Sequence, residues 1–165
     1  MDYQTGDILH CKSYGLLGTL IRKFTKSEFN HSAIFIEVWG QPYIMDAQKD
    51  GTNLRPFEEW KRVYDYDYIV HRKELSELRK RDLAKRALSK SGHTGYDFIS
   101  LIIKHPIQLI TGKWKYKGDR ETEKMFCSEF VSWCHEIGSS YRMSPGDLYK
   151  YCIENKYNEI TRNFL

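Results

Sequence analysis

Nothing in this sequence has the form of a secretory leader or a bilayer span. The opening MDYQTGDILHCKSYG carries neither a basic start nor an apolar core. The most apolar window, 96–110, is broken by Lys104, His105 and Pro106 and falls short of the roughly 18–20 apolar residues that a spanning helix needs. The expectation is a chain that stays where it is made, cytoplasmic as written, with a phage setting or non-classical release as the alternative. Cysteine is also scarce. Cys11, Cys127, Cys134 and Cys152 show no framework spacing in a chain of 165 residues, so reduced thiols are expected rather than disulfide staples. His10-Cys11 and Cys134-His135 are the close pairs a metal might use, but neighbours on a strand or helix point apart, and no metal or cofactor is expected.

Charge of one sign is lacking too. Lysine and arginine outnumber aspartate and glutamate by 26 to 22, a net +4 that biases encounters toward anionic surfaces without specifying one. The densest basic stretch, 73–90, interleaves Glu74, Glu77 and Asp82. That pattern belongs to a solvated helix face, and nucleic acid is not expected as a partner. Neither an internal repeat nor a low-complexity tract is present.

What the chain does have is aromatic and aliphatic side chain. Aromatics make up 15% and apolar residues 41%. At this length one core can take roughly 70% of the unfolded surface, so a single domain over 1–165 is expected. Residues 6–11 read as a short strand after a turn, and 16–24 as a short helix with i, i+4 apolar spacing. The β-branched run 32–38, the turn Trp39-Gly40-Gln41-Pro42 and the run 43–47 read as a β-hairpin, its first strand apolar enough to be covered on both faces. Asp50-Gly51 marks a turn, a short helix can begin at Pro56, and 66–71 alternates like a strand. Ser76 can cap a helix bearing Leu83, Ala84, Ala87 and Leu88, with Gly92 or Gly95 ending it. The window 96–110 reads as a helix kinked at Pro106, and 112–124 as an exposed loop. Ser144-Pro145 starts a last helix through Cys152. The order, strands first and helices after, is α+β.

Chemistry enters with MFCSEFVSWCHE at 125–136. A thiolate is favoured at a helix start, where unpaired N–H groups and the positive dipole end face the sulfur. Cys127 falls there, after the polar stretch that ends at Lys124 and at the start of an apolar helical pattern. Cys134 lies two turns deeper and reads as a core residue. A thiol nucleophile needs a base. Of six histidines, His31 opens the buried 32–38 strand, where rigid backbone can aim it at a helix end, whereas His10, His71, His93, His105 and His135 read as ordinary surface or core-edge residues. A third group should fix the imidazole tautomer. The hairpin returns Asp46 beside Ala33, and a carboxylate inside the apolar run YIMDA calls for a partner. Glu37, the competitor, lies about 20 Å from His31 at roughly 3.3 Å per residue.

Taken together, Gly6-Asp7-Ile8-Leu9, Asn30-His31-Ser32-Ala33-Ile34, Met45-Asp46-Ala47, Gly95-Tyr96-Asp97-Phe98, Phe126-Cys127-Ser128-Glu129-Phe130-Val131 and Ser144-Pro145-Gly146-Asp147-Leu148 resemble the circularly permuted papain-like cysteine hydrolases, the YiiX-type branch of the NlpC peptidase superfamily. The resemblance implies a small antiparallel sheet or partial barrel packed against helices, with Cys127 as nucleophile, His31 as base and acid, and Asp46 as the orienting residue. Relatives commonly carry glutamate where Asp46 stands, so the shorter side chain must sit closer to its imidazole. The implied function is amidase or peptidase chemistry through a thioester, on cell-wall-type or amino-acyl amides. The rival readings are an acyl-lipid hydrolase or acyltransferase touching a membrane surface through 98–110, and a non-catalytic binding module. Tyr14 and Tyr96 are candidate second oxyanion donors beside the Cys127 N–H.

Overall fold

The computed structural model describes residues 3–48, 50–92, 125–138, 140 and 143–164. The expected helix over 96–110, the loop over 112–124, Tyr96, His93 and His105 lie outside them. The apolar run after Asn30 becomes the inner strand β2 (His31–Val38). It lies between β1 (Ile8–Lys12) and β3 (Gln41–Gln48) in a six-stranded sheet of order β4-β3-β2-β1-β5-β6, all of whose pairings are antiparallel. The remaining strands are β4 (Gly51–Pro56), β5 (Asp67–Arg72) and β6 (Asn158–Asn163).

Helix α1 (Leu16–Thr25) follows β1, and α2 (Phe57–Val63) begins directly after Pro56, whose fixed φ suits a helix start. Ser76 caps α3 (Glu77–Leu88) by accepting the Arg79 N–H at 3.4 Å. Helix α4 (Cys127–Cys134) and α5 (Pro145–Glu154) complete the five helices among the described residues. The start of α5 is tightly specified. Ser144 Oγ accepts the Asp147 N–H at 3.1 Å, and Asp147 Oδ2 accepts the Ser144 N–H at 3.1 Å. The molecule is α+β, as the element order implied.

Both sheet faces are covered. On one, Ile8, Ile34, Ile36 and Met45 pack against Leu83 and Ala87 of α3, Phe130, Val131 and Cys134 of α4, and Leu148 and Cys152 of α5. On the other, Leu9, Cys11, Ala33, Phe35 and Ile44 pack against Phe57 and Trp60 of α2. This is why β2 carries no alternation: six consecutive positions from its start are buried.

Two strands depart from the sequence reading. Gly51, read as part of a turn, opens β4, and 158–163 form β6; neither strand was anticipated. Both are edge strands. Asn158–Asn163 holds one aliphatic residue, Ile160, so it carries no period-2 signal, and its pairing with β5 supplies the structure that its own pattern lacks. Among the described residues no helix is long and apolar enough to cross a membrane.

Candidate active site

Three separate elements bring the predicted residues together. His31 is the first residue of β2, opposite Cys11 of β1. The entry into that strand is held by Asn30. Its N–H donates to the Cys11 carbonyl at 3.0 Å, its Oδ1 accepts the Ser13 N–H at 2.8 Å, and its Nδ2 donates to Ser13 Oγ at 2.6 Å. The hairpin register pairs Ile34 with Met45, which sets Asp46 beside Ala33 on the face that His31 uses.

Asp46 is fully buried, and its Oδ2 lies 2.8 Å from His31 Nε2. The shorter carboxylate therefore does reach the ring. The same oxygen accepts from Gln48 Nε2 at 2.7 Å and from Trp60 Nε1 at 3.2 Å, while Oδ1 has no partner. Two neutral donors and an imidazole thus converge on one carboxylate oxygen.

Cys127 is the first residue of α4, fully buried, and its sulfur lies close enough to the His31 imidazole to act on that ring's proton affinity. Because Nε2 faces Asp46, Nδ1 is the ring nitrogen left to serve the thiol. Burial pulls the His31 pKa down. The Cys127 sulfur and the Asp46 carboxylate oppose this more strongly, through charge and hydrogen bonds, and push it up to about 10. Burial dominates at the other three thiols. Burial raises the pKa of Cys11, aided by the Asp46 and Cys127 charges, and it also raises those of Cys134 and Cys152. Cys134 sits in the core, as its depth in the helix implied.

The other residues singled out in the sequence lie elsewhere. Tyr14 donates its hydroxyl to the Asp67 carboxylate, so it is committed away from the thiol. Glu37 is exposed at the far end of β2, opposite Pro42. His10 and His71 are core residues, fully buried, with rings 5.1 Å apart beside Tyr149 and no hydrogen-bond partner on any ring nitrogen. His135 lies beside Gly6, and burial lowers its pKa to about 4. Asp7 of the opening motif is structural, gripped by the Arg72 guanidinium at 2.7 and 2.6 Å.

Among solved structures, the crystal structure of YiiX from Escherichia coli O157:H7, described as a metalloprotein, DUF1105, is similar to this chain. The TM-score is 0.64 at 23% identity, over 87% of this chain and 70% of that one. The chain has a YiiX-like fold. No protein-family model matches the sequence, and no curated protein matches it.

Within this YiiX-like fold the sequence reading missed the residues that hold Asp46. Gln48 lies two residues along the same strand and on the same face, a signal legible from period-2 spacing alone. Trp60 gave no such signal, because its indole reaches Asp46 from α2 across the sheet face. Tyr66, whose ring centre is 5.8 Å from that of His31, was likewise hidden.

Proposed function

We propose that the protein is a thiol acyl hydrolase in which Cys127, His31 and Asp46 act as nucleophile, acid–base and orienting residue. The observation that carries this is one imidazole shared between a helix-start thiol and a buried carboxylate. The resemblance to permuted papain-like hydrolases gives the same three residues the same roles.

In the reaction, the Cys127 sulfur attacks the carbonyl carbon of an amide or ester, forming a C–S bond and a tetrahedral oxyanion. The backbone N–H of Cys127, at the start of α4, is the protein's fixed donor toward that oxygen. As the C–N or C–O bond breaks, His31 hands its proton to the leaving amine or alcohol. Water then attacks the thioester, His31 takes the water's proton, and the acid leaves with the thiol restored. Asp46 holds the imidazole upright and stabilises its charged form throughout. YiiX is described as a metalloprotein. Among the described residues of this chain, no group of three or more histidine, cysteine, aspartate or glutamate side chains is placed to hold a metal ion, so no step is routed through one.

All four cysteines are buried, which makes them a matched set for thiol labelling. With iodoacetamide near about pH 6, Cys127 is expected to label roughly tenfold or more faster than Cys134, because both are buried but only Cys127 sits at a helix start beside an imidazole. Equal rates would remove the nucleophile. Incubation with peptidoglycan fragments and with acylated amphiphiles, followed by mass spectrometry, then looks for an acyl adduct on Cys127 and identifies the substrate class.

A further inference from the structure

Helix α1 buries the wrong amount of itself. Gly18 and Ile21 face inward, but Leu16 is 85% exposed, Leu20 44% and Phe24 48%, with Leu17 beside them. At 100° per residue these four side chains fall within one stripe. Five of the eleven exposed large apolar side chains among the described residues lie between Tyr14 and Phe24. Scattered exposure is ordinary, whereas clustering on one helix marks a contact surface.

The charge around the stripe identifies what it fits. From residue 13 to residue 36 the charged side chains are Arg22, Lys23, Lys26 and Glu28. Arg22 is held by the Ser13 carbonyl and by Thr19 Oγ1, and the Glu28 charge acts on Arg162. No ion pair engages Lys23 or Lys26 among the described residues, and α1 has no acidic residue in its first turn. A leucine and phenylalanine stripe flanked by free ammonium groups matches an anionic lipid surface: apolar side chains enter the acyl boundary and lysines stay at the headgroups.

The helix is also wired to the site. Ile21 packs on Phe126, the residue before Cys127, and Gly18 lies so close to Asn30, the residue before His31, that an added Cβ would stand 2.2 Å from Asn30 Nδ2. We infer that α1 docks the protein onto anionic membrane surfaces and holds the Cys127–His31 end of the sheet against them. Resting on the acyl-transfer reading above, this makes an acylated amphiphile presented at that surface the favoured substrate class.

The test is flotation of the full-length protein with vesicles of phosphatidylcholine containing phosphatidylglycerol, against phosphatidylcholine alone. Binding to the anionic vesicles is expected, weakening as salt rises. Leu20→Gln with Phe24→Gln should weaken it about tenfold or more, and Lys23→Gln with Lys26→Gln should remove the preference for anionic lipid. Cys127→Ser should bind as the parent does. Absence of binding by the folded protein, or binding indifferent to the Leu20 and Phe24 changes, overturns the inference. So does a self-associated parent that becomes monomeric in that variant, since a second copy would then cover the stripe. Thiol labelling without vesicles separates the two readings: an inert Cys127 on a vesicle-bound protein overturns only the chemistry, and a reactive Cys127 on an unbound one overturns only the docking.

Discussion

Asp46 Oδ2 is the most heavily used atom of the site, taking hydrogen bonds from His31, Gln48 and Trp60 while Oδ1 takes none. Asp46→Asn keeps the shape and removes the charge that favours the imidazolium. The expected result is a folded protein destabilised by about 1–3 kcal/mol, since one amide must now serve three donors in a buried place. Its Cys127 labelling near about pH 6 should slow about tenfold or more. Labelling at the parental rate would show that Asp46 supports only the hairpin. At this scale the sequence was most readable where a chemical role restricts the residue type. Cys127, His31 and Asp46 could be picked out because a buried carboxylate, a strand-edge imidazole and a helix-start thiol are each costly without partners. Trp60 could not, because an indole in an aromatic-rich chain looks the same whether or not its N–H is in use.

Among the elements, α1 and the starts of β2 and α4 form one unit. Gly18 permits it: a Cβ there would meet Asn30 Nδ2, then Ser13 Oγ at 2.5 Å and the Ser13 carbonyl oxygen at 2.9 Å. Glycine to alanine inside a helix ordinarily stabilises by about 1 kcal/mol. Here the sign should reverse. Gly18→Ala is expected to cost about 1–3 kcal/mol by overpacking, measured by denaturant midpoint, and to shift the His31 ring signals by NMR through Asn30. A stabilised variant with unmoved His31 signals would break the link between α1 and the site. β2 was legible as an unbroken apolar run, α3 from the period that its buried face imposes, and α5 from its serine–proline start. Edge strands β4 and β6 were not, because pairing with a neighbour rather than a hydrophobic face defines them.

For the whole molecule, histidines set a stability window with opposite slopes. His10, His71 and His135 have pKa values lowered from 6.5, mainly by burial. The unfolded chain then binds more protons, so stability present above about pH 6.5 is lost as pH falls, for His135 down to about 4. That histidine alone corresponds to a loss on the order of 3 kcal/mol. His31 runs the other way. Its pKa, raised to about 10, gives stability that is full below 6.5 and fades as pH climbs toward that value. Thermal melts across pH should therefore peak near neutrality, and His135→Gln should flatten the acid limb; an unchanged acid limb would show that His135 carries none of that loss.

The site's three residues also come from distant parts of the chain: His31 and Asp46 from one hairpin, Cys127 from a helix much later in sequence. Closing that separation is entropically costly and rewarded only at the end, so the hairpin can assemble its imidazole–carboxylate pair early while the thiol remains an ordinary one. On the proposed acyl-transfer reading, nucleophilicity would thus be withheld from the nascent and partly folded chain. A ribosome-bound or misassembled copy would carry four ordinary thiols, and the reactive one would arise only once the late helix has met the hairpin.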